Sequence, residues 1–377
     1  LKGAMEALNL GDPWAISSDV GPVIDDEAHA ALSAYSKAME EKGRLVARLP
    51  VPSTGRFVAP AILRVSGIAE MEREMFGPLL HVVSFASDDI DNVIADINAR
   101  GYGLTFGLHT RIDARVQHIV DGVKAGNIYV NRNQIGAVVG SQPFGGEGLS
   151  GTGPKAGGPH YLARFRKIEL SAQLPATSGK IISAQELRDH FPDIAASNWA
   201  GTADRIAVLR KHLRGKAANA IAAAAAVDFG AIDLPGPTGE ANTLLLAPRG
   251  RVLCLGPDEE ALLAQTVQAL AAGNAVLAVS PDARGALAPL IGKGLPLAVL
   301  VGTIDPADLA GLDVGLVVSA ADAAMLRHLR QALSAQNGPI VRLVTAPIDP
   351  VSYAHERAIC VDTTAAGGNA SLLAASE

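Results

Sequence analysis

Residues 251–255 read Arg251-Val252-Leu253-Cys254-Leu255, and residues 261–281 read Ala-Leu-Leu-Ala-Gln-Thr-Val-Gln-Ala-Leu-Ala-Ala-Gly-Asn-Ala-Val-Leu-Ala-Val-Ser-Pro. A short apolar run, an acidic turn, a helix-length apolar stretch closed by Gly273 and a second apolar run make a strand-helix-strand unit. Neither run alternates with polar residues, so both strands are expected to be buried on two faces, as in a parallel sheet covered by helices. Gln265, Gln268 and Asn274 lie within the charge-free stretch, and their amides would be costly in hydrocarbon. It therefore reads as a buried helix leading into a strand and not as a membrane span.

Outward from this unit the pattern repeats. Apolar runs at 298–301, 315–318 and 341–344 alternate with helical stretches, and the alanine-rich segment 217–227 forms a helix ahead of them. Upstream, helices are expected at 27–43, 90–99 and 114–123, and strands at 44–49, 61–65, 80–85, 105–110 and 127–131. Residues 141–159 are too rich in glycine for regular structure, and 161–170 alternates like a strand. Small, polar and proline residues at 174–179 read as a linker. The expected organisation is an α/β domain over 1–172, a linker over 173–202, a Rossmann-like parallel α/β domain over 203–350 and a tail over 351–377. Leu1 is followed at once by an amphipathic run, so the sequence is expected to be a piece of a longer chain, beginning inside a helix.

Composition excludes several classes. The 377 residues are 49% hydrophobic and 19% charged, with 39 Gly and 22 Pro, which describes a turn-rich protein of two or three domains and not a disordered or fibrous one. With 32 Lys+Arg against 38 Asp+Glu, the net charge of −6 offers nothing to a nucleic acid. Two cysteines, Cys254 and Cys360, sit in apolar runs and read as buried small hydrophobes in a reducing, cytoplasmic setting. The nine histidines are scattered, and no metal-ligand or serine-hydrolase motif occurs, so neither a metal site nor a nucleophile is expected here. Gly146-Glu147-Gly148-Leu149-Ser150-Gly151 spells G-x-G-x-x-G without a strand before it or a helix after it, so it reads as an irregular loop and not as a dinucleotide site.

Four ordered segments carry a resemblance: Glu74-Met75-Phe76-Gly77-Pro78, Tyr102-Gly103-Leu104-Thr105, Gly126-Asn127-Ile128-Tyr129-Val130-Asn131 and Pro143-Phe144-Gly145-Gly146. Together they resemble the aldehyde dehydrogenase superfamily. The run from Asn131 to Tyr161 is similar to the glutamate γ-semialdehyde (pyrroline-5-carboxylate) dehydrogenase module of bacterial bifunctional proline-utilization proteins. The resemblance implies the back half of an aldehyde dehydrogenase catalytic domain, followed by a degenerate copy of the cofactor domain. It also implies NAD as cofactor and glutamate γ-semialdehyde as substrate, with FAD serving a proline dehydrogenase part outside this sequence.

By the same resemblance Glu74 holds the nicotinamide ribose hydroxyls, Phe76 packs near the nicotinamide, Gly136 and Ala137 anchor the substrate carboxylate, and Phe144 walls its aliphatic chain. Plainer readings stay open: Glu74 as a solvated carboxylate, Gly136 and Ala137 as a turn, Phe144 as core. The resemblance places the cysteine nucleophile, the general base and the NAD domain upstream, so this stretch alone is expected to be inactive, a lid or assembly module at most. Residues 161–170 look like the superfamily's oligomerisation strand, implying a homo-oligomer. Gly256-Pro257-Asp258-Glu259 replaces the turn expected in a working cofactor domain, and its acidic pair would repel a pyrophosphate. Residues 356–374 suit a close-packed latch.

Overall fold

In the computed structural model, which describes residues 1–166, 179–193 and 198–364, the helix Asp26–Glu41 starts where Asp25 accepts a hydrogen bond from the Ala28 amide at 2.8 Å. Leu32, Ser36 and Met39 recur along it with helical period and form its buried stripe. That stripe packs on a sheet of β1 (Leu45–Arg48), β2 (Ala61–Arg64) and β3 (Leu79–Val82), in which β1 is antiparallel and β3 parallel to β2. Gly77 lets the chain pass close to this stripe: a Cβ there would stand 2.5 Å from Leu32 Cδ1, so the buried Leu32 side chain would have to shift. The helix Ile90–Ala99 closes this first compact unit, Leu1–Arg100; the second is Gly101–Glu377.

The second unit contains β4 (Tyr102–Gly103), β5 (Thr105–Leu108), β6 (Asn127–Val130), β7 (Glu147–Gly148), β8 (Ile181–Ile182), β9 (Ala231–Leu234), β10 (Glu240–Pro248), β11 (Arg251–Cys254), β12 (Ala275–Val279), β13 (Leu297–Leu300), β14 (Thr303–Ile304), β15 (Leu316–Val318), β16 (Arg342–Val344) and β17 (Ala354–Asp362). Five of these form a wholly parallel sheet in the order β13-β12-β11-β15-β16. The first strand lies in the middle and the order reverses beside it, as in doubly wound folds. The helix Glu259–Ala271 packs on this sheet; Leu262, Val267 and Leu270 are fully buried beside Val252, Cys254 and Val276. Strand and helix thus fall where the 251–281 reading places them.

A second five-stranded sheet has the order β5-β6-β17-β10-β9 and corrects the expectation of a tail after residue 350. β17 pairs antiparallel with β10 over nine residue pairs, from Glu240↔Asp362 to Pro248↔Ala354, and parallel with β6 from Ala358↔Asn127 to Val361↔Val130. The sequence Ala-His-Glu-Arg-Ala-Ile-Cys-Val-Asp hides this strand because three polar residues interrupt the apolar pattern. Glu356 is nevertheless 7% exposed, and its neighbour Arg357 pairs with buried Glu147 at 2.8 Å. β6, expected in the first domain, and β17, expected in the tail, therefore share one sheet. The linker residues 174–178 and the end of the latch lie outside the described residues.

The strand expected over 161–170 is also corrected in its described part, 161–166. Tyr161–Phe165 is a 3₁₀ turn, and the residues beyond 166 lie outside those described. Tyr161 and Phe165 meet edge-on with ring centroids 5.6 Å apart, a contact that four-residue spacing permits on a helical turn and that a strand would abolish.

Removing one partner of a buried ion pair strands the other charge, at a cost of about 3–5 kcal/mol. Arg357→Met is expected to lower unfolding stability by that order in urea denaturation. The double variant Glu147→Gln/Arg357→Met is expected to recover most of the loss; an equal loss in both would show that the pair does not hold β17 against the 147 loop.

Candidate functional site

β6 ends at Val130, and Asn131 turns the chain at φ +59°, a left-handed conformation that asparagine tolerates. Its side-chain oxygen accepts from the Thr110 amide at 2.9 Å, so the turn is fixed to the end of β5. Residues 133–139 then run exposed to solvent. Tyr129, 1% exposed, donates its hydroxyl to the Gly136 carbonyl at 2.9 Å and holds the loop from beneath. Gly136 has φ +112° with no atom near the place of a Cβ, so backbone conformation and not crowding demands glycine there. Among the described residues the amides of Gly136 and Ala137 meet no acceptor.

A second loop, 142–158, is fastened to the first. Val138 bridges Gln142, the Gly140 amide donates to the Gly157 carbonyl at 2.9 Å, and Phe144 exchanges two 2.9 Å backbone hydrogen bonds with Ala156. Gly136, Ala137 and Phe144 are thus carried by one tied pair of loops, with Gly136 and Ala137 exposed and Phe144 half-buried. Glu74 and Phe76 belong to the first unit, on the segment before β3. Both are exposed, Phe76 at 87%, and Glu74 makes no hydrogen bond among the described residues.

Lys155 is the pivot of the loop pair and was not singled out from the sequence. It is 2% exposed; its Nζ donates to Asn127 Oδ1 at 3.0 Å and to the Gly145 carbonyl, and Asn127 in turn donates to the Pro143 carbonyl at 2.8 Å. Burial pushes its pKa down to about 8, against the opposing pull of Glu356 and Glu147. Glu356 of β17 accepts from the Lys155 amide at 2.5 Å and meets His160 Nδ1 at 2.6 Å. Arg132 reaches Glu240 of β10 at 2.6 Å, and Gln142 reaches the same carboxylate at 2.9 Å. The loops are therefore cross-linked to β10 and β17 by charge-assisted bonds spanning about 100 to 200 residues of sequence.

Neither cysteine is placed for nucleophilic work. Cys254 is fully buried in β11 and burial pushes its thiol up; Cys360, 3% exposed in β17, is also raised by burial although Arg132 opposes the shift. No cluster of metal-ligating side chains occurs among the described residues. The Gly146–Gly151 loop contains only the short β7 and opens no helix. In the parallel sheet, the helix after β11 is capped by Asp258, which accepts from the Ala261 amide at 2.8 Å, and Glu259 and Glu260 follow in its first turn. Gln265 fills the adjoining turn by bonding both the amide and the carbonyl of Gly256. Three carboxylates and a closed turn stand where a dinucleotide's pyrophosphate needs free amides, so this domain does not fit NAD.

Residues 1–170 match the family model described as the aldehyde dehydrogenase family. They belong to that family. Over 99% of its length the chain is 39% identical to the bifunctional protein PutA of Escherichia coli K12, and it spans only 29% of that relative. The family segment is matched by 1-pyrroline-5-carboxylate dehydrogenase 1 of Halalkalibacterium halodurans, 39% identical over 44% of this chain and 33% of that enzyme. A PutA structure from Corynebacterium freiburgense covers 95% of this chain and 33% of its own at a TM-score of 0.60 and 21% identity, a likeness of fold. The aldehyde dehydrogenase segment thus continues into an α/β domain that shares this overall fold. Lys155, His160, Glu356 and the Glu147–Arg357 pair escaped sequence reading because nothing in a linear pattern pairs residue 155 with residue 356.

Lys155 is held neutral more readily in the folded protein than in the unfolded chain, where its value is 10.5. Between about pH 8 and 10.5 the unfolded state binds more protons, so stability is expected to rise with pH across that window, by at most about 3 kcal/mol. Urea midpoints measured from pH 7 to 10 check this, with Lys155→Met expected to lack the rise.

Proposed function

We propose that this chain forms the substrate-anchoring and nicotinamide-facing part of an NAD-dependent L-glutamate γ-semialdehyde (1-pyrroline-5-carboxylate) dehydrogenase of proline catabolism, a cytoplasmic homo-oligomer. What carries the reading is the exposed loop at Gly136 and Ala137, whose amides have no acceptor among the described residues, in a chain so similar to PutA. Two adjacent free amides recognise a carboxylate without a basic side chain, which suits the carboxylate end of a semialdehyde. Phe144 supplies an apolar face on the partner loop. Glu74, exposed and unbonded, is a charged acceptor suited to two neighbouring ribose hydroxyls, and Phe76 offers an exposed ring beside it. When bound, NAD supplies the hydride acceptor.

The thiol that attacks the aldehyde is not one of these residues, since both cysteines lie buried in strands. We assign it, with the general base and the flavin-dependent proline dehydrogenase part, to other sequence of the intact protein. β10 and β17, bonded to the loop pair from behind, act in this reading as its fixed support and lid. The alternative, a purely structural lid or assembly module, draws on the same burial of both thiols and on the acidic, self-capped helix after β11.

In the intact enzyme, Glu74→Ala is expected to raise the KM for NAD about tenfold or more, the order of a lost charge-assisted bond, with the KM for semialdehyde little changed. Ala137→Leu is expected to raise the semialdehyde KM instead. Steady-state kinetics with either substrate varied separates the two; the reversed pattern refutes both assignments, and no change in either variant favours the structural module.

A further inference from the structure

A cavity of about 560 Å³ lies within the second unit, beside the loop pair and under β16, and three guanidiniums line it: Arg164, Arg249 and Arg342. Elsewhere in this unit Arg132 is paired with Glu240 and Arg357 with Glu147, while Arg205 is held by the carbonyls of Ala271, Ala200 and Thr202. None of these three has a carboxylate within ion-pair distance among the described residues. Arg249 spends its donors on the neutral carbonyls of Ser352 and Thr152, at 2.7 and 3.2 Å, and on His355 at 3.3 Å. Arg342 and Arg164 make no side-chain hydrogen bond among the described residues.

Two carboxylates share the wall, and both are engaged. Glu356 holds His160 and the Lys155 amide, while Asp349 accepts from Ser352 Oγ. The cationic groups repel one another: burial foremost, and then Arg342, pull Arg249 down to about 10; burial foremost, with Arg164 adding to it against Asp349, lowers Arg342. A guanidinium stays protonated at neutral pH regardless, and Glu147, Asp349 and Glu356 offset only part of the shift on Arg249, so three cations face two wall carboxylates and leave the cavity net positive in a partly desolvated space. Its volume is that of a small-molecule site.

We propose that this cavity is a binding site for a small dianionic oxyanion, a phosphate group or a dicarboxylate, held between Arg342 and Arg249 with Arg164 at the mouth. Planar guanidiniums present paired donors that match either group, and an anion between them offsets the repulsion of Arg342 on Arg249. The site is separate from the Gly136 loop assignment and stands or falls without it.

The test is calorimetric titration of the full-length protein with sodium phosphate and, separately, with disodium succinate, each against sodium chloride of equal ionic strength. Saturable heat with either anion is expected; phosphate alone identifies a phosphate-bearing ligand, succinate alone a dicarboxylate, and both support the site. Arg342→Met is expected to weaken that binding at least about tenfold, and exposed Arg164→Gln by a smaller factor. Because Arg342→Met removes an unpaired cation, its melting temperature without anion is expected to equal or exceed wild type, which keeps loss of binding distinct from loss of fold. No saturable heat with either anion, or undiminished affinity in both variants, overturns the proposal.

Discussion

The second unit depends on the seating of β17 between β6 and β10. β17 follows β6 in sequence by more than 220 residues, and backbone pairing alone would leave His355, Glu356 and Arg357 as polar groups in a covered strand. The loops after β6 remove that cost by presenting Lys155 and His160 to Glu356 and Glu147 to Arg357, while Arg249 meets His355. A buried charge is tolerable only when paired and hydrogen-bonded, so the loops and the strand specify each other.

This seam accounts for the shape of the loop pair. Gly126 approaches the Gly145 carbonyl so closely that a Cβ would stand 2.1 Å from it, and the gap left by the missing side chain lets Lys155 reach Asn127 and Gly145 together. With the loop bases locked by Lys155, Asn127 and Tyr129, the exposed tip at Gly136 and Ala137 is held by the Tyr129 hydroxyl, and its amides meet no acceptor among the described residues. Rigid support under an exposed, amide-bearing tip is consistent with the proposed recognition of a carboxylate by backbone. The parallel domain meanwhile has the strand order of a nucleotide-binding fold without its phosphate site, because Asp258 caps the helix and Gln265 closes the turn. A fold does not carry a function when the site grafted on it has been filled in.

The parallel sheet was legible in residues 251–281 and the runs that follow, because strands buried on both faces are apolar throughout and helices between them are long enough to recognise. The inertness of Cys254 and Cys360 and the failure of Gly146–Gly151 as a dinucleotide loop were equally local matters, fixed by flanking residues. Candidate residues Glu74, Phe76, Gly136, Ala137 and Phe144 came from short ordered segments that resemble a family, and their exposure or loop setting is what the structure adds. β9, β10 and β17 were missed, as was the 3₁₀ turn at Tyr161–Phe165, where the alternating pattern favoured a strand and the Tyr161–Phe165 ring contact marks a turn.

By itself, then, the amino-acid order determined which segments must be buried and with what period, and so the layered parallel domain with its helix after β11. Only the tertiary structure decided that Glu356 and Arg357 are interior residues, that Lys155 is a buried cation, and that three arginines from positions 164, 249 and 342 converge on one cavity. The reason is physical: apolar burial is written in each residue's own chemistry, whereas the place of a charge depends on a partner that the chain brings near only when it folds.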